Sequence, residues 1–239
     1  MPNPGGGLGF GLVPDRPLAL VTGASRGIGA AVAAALGSTH DVLLGGRDVD
    51  ALTHQASLSG ARPWPVELTD PDALAAATSG IDTLDVLVHS AGIAELHTLT
   101  DTSAALWRRT YEVNVIAVAE LTRLLLPALR ASRGHVILIN SGAGLQANPN
   151  WGAYAASKFA LRAYADVLRA EEPSLRVTTI YPGRTDTDMQ RAVRASEGAE
   201  YQPDRYLRPE SVAAAVLAAI HAGPDAHLTD LTLRPTLRV

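Results

Sequence analysis

The sequence contains no cysteine, so disulfide bonds, thiolate metal sites and cysteine nucleophiles are excluded. Its charges lack a dominant sign, because 24 acidic and 20 basic residues leave a formal net charge of -4. Nucleic-acid binding usually requires a clustered basic excess, so we expect no nucleic-acid partner. No apolar run approaches the roughly 18 continuous residues that a membrane span needs, so we expect no membrane partner.

The N-terminus lacks the charged-then-apolar pattern of a secretory signal, and residues 1–14 are instead rich in glycine and proline. We interpret residues 1–16 as a flexible lead-in, native or added for expression, and expect a cytoplasmic protein. Histidines and carboxylates show no spacing typical of metal ligands, so we expect no metal.

The composition favours a well-packed globular domain. Hydrophobic residues make up 47% of the chain and charged residues 18%, which supplies a large core and argues against disorder. A length of 239 residues suits one α/β domain. No linker or composition shift divides the chain after Pro17, so residues 17–239 are predicted to form a single domain.

Short apolar runs alternate with Ala/Leu-rich segments along the chain. The runs predict strands at Leu18–Thr22, Asp41–Gly45, Pro63–Glu67, Leu84–His89, His135–Asn140, Arg176–Tyr181 and Leu228–Leu233. The segments between them predict helices at Gly27–Leu36, Val49–Ser57, Pro71–Thr78, Thr102–Ala131, Trp151–Glu171 and Pro209–His221. This alternation predicts a Rossmann-like, doubly wound parallel sheet of about seven strands. Helices on both faces would make a three-layer α/β sandwich.

A glycine-rich turn follows the first predicted strand and precedes the first predicted helix. Glycines at such a turn let the backbone approach a pyrophosphate, and the helix start supplies free N–H groups and the positive end of its dipole. Any tight turn can use glycines, and the position between strand and helix is what favours a dinucleotide. The turn contributes the candidate cofactor-binding residues Gly23, Ser25, Arg26, Gly27, Ile28 and Gly29.

The end of the second strand indicates which dinucleotide binds. NAD sites usually place a carboxylate here, whereas the 2′-phosphate of NADP needs a cation. Gly46 stands where that acid would be, Arg47 follows, and Arg26 could reach the same phosphate from the turn. We therefore expect NADP(H) as cofactor. The alternative is that both arginines are solvated surface residues.

Three polar residues suggest acid–base chemistry. Tyr154 and Lys158 are four residues apart on a predicted helix, so they share one face. A fixed cation there would lower the phenol pKa toward working pH and let Tyr154 exchange a proton with a carbonyl or alcohol. Ser141 follows the fifth predicted strand, at the edge of the sheet where open α/β folds bind ligands, and could polarise the substrate oxygen. Alone, Ser141 would be read as a turn residue.

With these residues in register, the chain resembles the short-chain dehydrogenase/reductase family from Leu18 to about Pro235. The family's catalytic spacing has Ser thirteen residues before Tyr and Lys four after it, as at Ser141, Tyr154 and Lys158. The resemblance also makes Asn114 the active-site asparagine, whose backbone carbonyl would hold a water that links Lys158 to solvent. From the residues alone, Asn114 is an unfavourable residue in a long helix that could mark a bend.

The same resemblance implies further cofactor contacts, including those of Tyr154 and Lys158 themselves. Thr187 would bind the nicotinamide carboxamide, with the backbone of Thr185 nearby. Glu67 stands where the family usually has Asp near the adenine, and Ser90 replaces an Asn, so both contacts differ in reach. The remaining implied cofactor residues are Leu68, Ala91, Gly92, Pro182 and Gly183. His89, which ends an apolar strand, is better explained as a structural residue than as a catalyst.

Substrate residues are expected in three loops, at 93–100, 142–152 and 184–206. The candidates are His97, Gln146, Trp151 and Arg184. Trp151 could wall the pocket or pack at a helix start, and Arg184 could bind an acidic substrate or pair with Asp186 or Asp188. The polar stretch after Met189 is interpreted as a mobile lid.

Together, these observations predict an NADP(H)-dependent oxidoreductase that interconverts a small carbonyl compound and its alcohol. The alternative is an NADP-binding sensor without turnover, which would not need the Ser, Tyr and Lys in register. Two predicted helices, Thr102–Ala131 and Trp151–Glu171, are longer than a sheet crossing requires. A second apolar stripe on them could contact another subunit, so we expect a homodimer or homotetramer.

Overall fold

The computed structural model describes residues 16–223 and 225–236. Apart from Arg16, the predicted lead-in lies outside the described residues. Arg16 is exposed, and its Nη2 donates a hydrogen bond of 2.8 Å to the carbonyl of Gly37.

The described residues contain one parallel sheet of seven strands. These are β1 (Leu18–Thr22), β2 (Asp41–Gly46), β3 (Arg62–Pro65), β4 (Val86–His89), β5 (His135–Ile139), β6 (Arg176–Pro182) and β7 (Asp230–Leu233). Their order across the sheet is β3-β2-β1-β4-β5-β6-β7, and each neighbouring pair is parallel. The order reverses beside β1, where doubly wound folds bind ligands at the strands' carboxyl ends. The predicted Rossmann-like sheet is confirmed.

Helices cover both faces of this sheet. They are α1 (Gly27–Leu36), α2 (Val49–Ser59), α3 (Pro71–Thr78), α4 (Ala104–Tyr111), α5 (Ala117–Ser132), α6 (Gly152–Glu171), α7 (Asp188–Ser196) and α8 (Pro209–Ile220). Side chains of α3, α5 and α6 share one buried cluster with the sheet, and those of α1, α2 and α8 share the other. All five residues of β1 and of β5 are buried, because strands covered on both faces need apolar residues at every position.

Several strand ends differ from the prediction. β3 spans Arg62–Pro65 rather than Pro63–Glu67, because its partner strand β2 ends at Gly46, which lies beside Pro65. β4 begins at Val86 rather than Leu84, whose N–H bonds the carbonyl of Ala128 on a helix. β7 begins at Asp230 rather than Leu228, while β2 and β6 each extend by one residue and β5 stops one residue early.

The long helix predicted over Thr102–Ala131 is wrong as a single element. A π-helical turn at Glu112–Ile116 separates α4 from α5, and the N–H of Ala117 bonds the carbonyl of Glu112 across it. Asn114 lies in this turn, so the unfavourable residue does mark an irregularity in the helix. Such turns are rare and often occur at functional sites.

The stretch after Met189, interpreted as part of a loop, contains helix α7. Its N-cap is Thr187, whose Oγ1 accepts a 3.2 Å hydrogen bond from the N–H of Gln190. Gln190 and Val193 are the buried residues of this helix. Most residues of this helix are polar, so the segment was not distinguished from a polar loop.

Candidate active site

The glycine-rich turn packs directly against the end of β4. Gly23 has φ of 66°, and a Cβ at this position would lie 2.8 Å from the backbone N of Ala91. A Cβ on Gly29 would lie 2.2 Å from the carbonyl oxygen of Gly23. Neither position can hold a larger residue without backbone movement. The turn is thus fixed in a tight form that keeps its outer face open.

Thr22 ties this turn to the next loop, a role that the sequence reasoning missed. Its Oγ1 accepts hydrogen bonds from the N–H groups of Ser90, at 3.1 Å, and Ala91, at 3.2 Å. A threonine that ends a buried strand opposite a second strand end was the available signal. The segment Ser90 to Gly92 therefore lies beside the turn. It is held there by backbone N–H groups that bond the Thr22 hydroxyl, and not by the side chain of Ser90.

The start of α1 is suited to an anion. Its N-cap, Arg26, makes no side-chain capping hydrogen bond, whereas Asp48 and Asp70 cap α2 and α3. The uncapped first turn contains Gly27, Ile28 and Gly29, whose backbone groups precede regular helix bonding. Unsatisfied N–H groups with the positive end of the helix dipole can hold phosphate oxygens.

The two arginines proposed for the 2′-phosphate are exposed. Nη1 of Arg26 lies 3.6 Å from Oδ2 of Asp188, and Nη1 of Arg47 lies 3.4 Å from Oε2 of Glu67. Burial works against ionisation of Glu67, but hydrogen bonds from Thr69 and the charge of Arg47 outweigh it and lower the pKa of its carboxyl. Exposed pairs of this kind contribute little stability, so both guanidinium groups can exchange partners.

Glu67 is also held by its own loop. Its Oε1 accepts from the N–H of Thr69 at 3.1 Å and from Oγ1 of Thr69 at 2.9 Å. The carboxylate is thereby engaged on both oxygens, by Thr69 and by Arg47. Leu68 beside it packs against the core of the α3, α5 and α6 face.

Tyr154 and Lys158 lie on one face of α6, and Ser141 directly follows β5. The Tyr154 phenol is buried, and the side chain of Ser141 is close enough to lower the pKa of that phenol. Nζ of Lys158 lies 5.8 Å from the centre of the Tyr154 ring and donates a 3.0 Å hydrogen bond to the carbonyl of Ile139. The three residues therefore converge at the end of β5, as the spacing predicted.

The electrostatics of this group differ from the prediction. Burial raises the pKa of the Tyr154 phenol, and the hydrogen bond with Ser141 only partly opposes this. Burial also lowers the pKa of Lys158 to about 8. Both shifts have the same cause, since a low-dielectric site disfavours the charged form of either group. The protein alone thus keeps Tyr154 as a neutral proton donor, rather than favouring its phenolate.

The side chain of Asn114, in the π-helical turn, makes three hydrogen bonds to other segments. Its Oδ1 accepts from the N–H of Ile93 at 2.9 Å, and its Nδ2 donates to the carbonyl of Ile93 and to Oγ of Ser157, both at 3.0 Å. Ser157 in turn donates to the carbonyl of Tyr154 at 2.7 Å. The loop after β4 is therefore joined through Asn114 to the helix that bears the tyrosine and lysine.

Asn140 is a second asparagine at the site, and the sequence reasoning missed it. Its Nδ2 donates to the carbonyl of Lys158 at 3.0 Å, and its Oδ1 accepts from the N–H of Ser141 at 2.8 Å. An amide directly before the strand-end serine was the only signal in the sequence. This side chain sets the distance between Ser141 and the lysine-bearing turn of α6.

A cleft of about 340 Å³ opens beside Ser141 and Tyr154. Three of the four predicted substrate residues, Gln146, Trp151 and Arg184, line it, and so do the predicted cofactor residues Ile28, Pro182, Gly183, Thr185 and Thr187. His97 is exposed and is not among the lining residues, because its backbone pairs with the chain at Asn150 and Trp151. Lining residues that the sequence reasoning missed are Ala94, Asn140, Gly142, Ala143, Asn148, Met189, Gln190, Val193 and Arg234.

His89 lies outside this group. It is 3% exposed, and its Nε2 is 2.9 Å from Oγ1 of Thr122, which itself donates to the carbonyl of Val118. Burial lowers the pKa of His89 to about 3, so the ring stays neutral. These contacts fit the structural interpretation of this residue.

The chain is similar to proteins of a known family. The family described as short chain dehydrogenase matches residues 17–198. A short-chain type dehydrogenase/reductase of Sinorhizobium fredii, itself uncharacterized, is 34% identical over 93% of this chain and 92% of its own. The chain therefore belongs to the short-chain dehydrogenase/reductase family, a family of oxidoreductases.

Solved structures agree with this assignment. A metagenomic short-chain oxidoreductase in complex with NADP matches with a TM-score of 0.79 and 30% identity, over 93% of this chain and 98% of its own. An alcohol dehydrogenase from the archaeon Thermococcus sibiricus, complexed with 5-hydroxy-NADP, matches with a TM-score of 0.83 and 25% identity, over 94% and 99% of the two chains. Both share the full extent of the fold.

The described part of the chain offers neither a membrane-spanning helix nor a metal site. None of its helices is both long and apolar enough to cross a bilayer. Within the same residues, no three histidines or carboxylates are grouped so that they could hold a metal ion.

Proposed function

We propose that this chain is an NADP(H)-dependent oxidoreductase that reduces a ketone or aldehyde to an alcohol, or catalyses the reverse. The observation that carries the proposal is that Ser141, Tyr154 and Lys158 converge beside the cleft, where the end of β5 meets α6. A family protein without turnover would not need a buried phenol beside a strand-end serine.

The residues present fit a dinucleotide. The turn at Gly23 and Gly29 has no space for side chains, and the uncapped start of α1 offers N–H groups for phosphate oxygens. Arg47 and Arg26 would hold the 2′-phosphate of NADP, since no carboxylate occupies position 46 at the end of β2. That relatives of this fold were solved with NADP supports the choice.

The remaining cofactor contacts are proposed from the resemblance and from position. Thr185, Thr187, Pro182 and Gly183 line the same cleft as Ser141 and would hold the nicotinamide end. Residues 90–92 lie against the glycine-rich turn, where the family's dinucleotide passes. When bound, the nicotinamide supplies or accepts the hydride.

The protein's own residues supply the proton chemistry. The Ser141 hydroxyl hydrogen-bonds the carbonyl oxygen and stabilises its developing charge. Tyr154, kept neutral by burial, donates its hydroxyl proton to that oxygen in the reductive direction. Lys158 holds a proton at Nζ beside the phenol ring, and Asn114 fixes the turn through which the family's water chain would pass.

A Tyr154→Phe variant tests the function. It removes the proton donor but keeps the ring that packs against Trp151, so the fold and NADPH binding should persist. Loss of general-acid catalysis should lower kcat by about 100-fold or more in an NADPH-oxidation assay over a panel of carbonyl compounds. Undiminished turnover would reject Tyr154 as the acid. Absence of turnover in the wild type on every substrate, with NADPH bound, would favour the sensor.

The proposal includes assembly and location. Ile116, Phe159 and Val167 are apolar side chains of the two long helical segments that are 40–53% exposed. Their burial against a second copy would give the expected homodimer or homotetramer. The proposed location is the cytoplasm, where NADPH drives reductions.

A further inference from the structure

The cleft beside the catalytic group carries an unusual charge balance. Its lining includes two arginines, Arg184 and Arg234, and within the described residues no aspartate or glutamate. Two carboxylates that neighbour the lining residues in sequence have partners of their own. Asp186 accepts from the hydroxyl of Tyr201, and Asp188 pairs with Arg26.

Of the two terminal nitrogens of Arg184, one bonds Glu197 and the other has no hydrogen-bond partner. Nη2 lies 2.8 Å from Oε1 of Glu197, but that carboxylate is shared, because Nη1 of Arg194 lies 2.8 Å from its Oε2. Two guanidinium groups thus face one carboxylate, and the cluster keeps a net positive charge. Nη1 of Arg184 is buried and has no hydrogen-bond partner. An unsatisfied buried donor on a charged group is costly and calls for an acceptor.

Gln190 provides a second donor of the same kind. This residue is 8% exposed and lines the cleft, and its Nε2 is also buried without a hydrogen-bond partner. Its backbone N–H is already fixed by Thr187 at the start of α7. The side chain is therefore positioned by the helix while its amide donor stays unused.

Arg234, the second arginine of the lining, lies close to both Gly142 and Gly183. A Cβ on Gly142, next to Ser141, would be 3.3 Å from Nη2 of Arg234. Arg234 is anchored through Nη1, which donates to the carbonyls of Tyr181, at 3.1 Å, and Leu233, at 3.0 Å. These are neutral partners, so its charge adds to that of Arg184.

Trp151 connects this donor set to the catalytic phenol. The Arg184 guanidinium lies 6.0 Å from the centre of the Trp151 ring, and that ring lies 5.6 Å from the ring of Tyr154. A substrate whose carbonyl oxygen meets Tyr154 and Ser141 would therefore reach Arg184 by extending along one indole. A volume of about 340 Å³ is at the small end for ligand sites, which favours a short substrate.

We infer that the substrate is a small oxo acid, whose carboxylate binds Nη1 of Arg184 and Nε2 of Gln190. This inference rests on the proposed carbonyl reduction and names its substrate class. Arg234 contributes attraction at the rim. A carboxylate offers two charged oxygens to donors of this kind, whereas a neutral ester presents weaker acceptors and no charge.

The experiment compares oxo acids with their methyl esters under saturating NADPH. Acetoacetate and levulinate, each against its ester, separate the carboxylate from the reacting carbonyl. The wild type should show kcat/KM about tenfold or more higher for at least one acid than for its ester, since a charge-assisted bond contributes about 1.5–3 kcal/mol. Arg184→Met should abolish that preference by raising KM for the acid, and Gln190→Met should reduce it.

Arg108→Met is the matched control, because Arg108 is exposed on α4 and is not among the residues that line the cleft. It removes the same charge and should keep the preference for the acid. Equal or better use of both esters by the wild type, or an unchanged acid preference in Arg184→Met, would overturn the inference while the reductase stands. Failure to reduce these compounds and the wider panel alike would overturn the proposed function, and the inference with it.

Discussion

Nδ2 of Asn114 donates a hydrogen bond of 3.0 Å to Oγ of Ser157, and so joins the π-helical turn to the helix that bears Tyr154. Both side chains are essentially buried, with exposures of 1% and 0%. Asn114 uses both protons of its amide and one lone pair of its oxygen for bonds within the protein. The Asn114 side chain is therefore a structural connection between Ile93 and Ser157.

Ser157→Ala should destabilise the protein. One amide proton of Asn114 would remain buried without an acceptor, and the free energy of unfolding should fall by about 1–3 kcal/mol. Urea unfolding followed by circular dichroism measures this change. Ser79→Ala is the control, because that exposed hydroxyl bonds only the carbonyl of Ala76. Equal stability of the two variants would contradict the role of the Asn114–Ser157 bond.

Lys158 should make the stability of the cofactor-free protein depend on alkaline pH. Its pKa is lowered from 10.5 to about 8, so between these values the unfolded chain binds a proton that the native chain releases. Its contribution to the free energy of unfolding should therefore rise with pH across this window, while below about 8 the cost of burying the charge is fully present. Lys158→Met should lack the rise. The checking measurement is urea unfolding of both proteins at a series of pH values, and a pH-independent difference would reject the lowered pKa.

Arg47 should decide the preference between the two dinucleotides. In Arg47→Gln, loss of a charge-assisted bond to the 2′-phosphate should lower kcat/KM for NADPH by about tenfold and leave the value for NADH nearly unchanged. Initial rates with each nucleotide at a fixed carbonyl substrate measure this. Arg133→Gln serves as the control, since Arg133 ends α5 away from the nucleotide. A wild type that prefers NADH strongly would defeat the assignment.

Phe159 and Val167 should lie in a subunit interface. Phe159→Glu and Val167→Glu would place a charge in a contact that excludes water, so the assembly should dissociate toward the monomer mass. Size-exclusion chromatography with light scattering reports the mass. Val49→Glu is the matched control, because Val49 on α2 is 53% exposed, as Val167 is. An unchanged mass in both α6 variants would refute the proposed interface.

Strands β1 and β5 and the shared helix face of Tyr154 and Lys158 could be predicted from the sequence, because both follow from local geometry. Strands buried on both faces need uninterrupted apolar residues, so β1 and β5 were visible without knowledge of their neighbours. Tyr154 and Lys158 are one helical turn apart, so their shared face follows from helix geometry alone. Local rules were sufficient in both cases.

Elements that depend on distant contacts were not visible. The bond that closes the π-helical turn, from the N–H of Ala117 to the carbonyl of Glu112, is a backbone contact that residue types do not specify. Helix α7 did carry a local signal, Thr187 followed by Gln190 in the spacing of a capping box. That signal was outweighed by the polar residues that follow.

Polar partners across the fold were the hardest to foresee. Asn140 bonds the carbonyl of Lys158, 18 residues away, and Arg234 reaches Gly142 from the far end of the chain. Asn140 and Arg234 reach the rest of the site only once the sheet is assembled. Residue types alone could mark Arg184 as a candidate but not the free donor that distinguishes it.

The all-parallel sheet also constrains how the chain can reach this structure. β1 pairs with β4, the central strand of the seven, and the N–H of Leu18 bonds Oδ2 of Asp85 across a separation of 67 residues. No hairpin can start such a sheet, so a long loop must close before the two halves of the sheet meet. We therefore expect refolding from denaturant to be slow for a domain of this size, with aggregation competing at the strand edges that stay exposed until the halves meet.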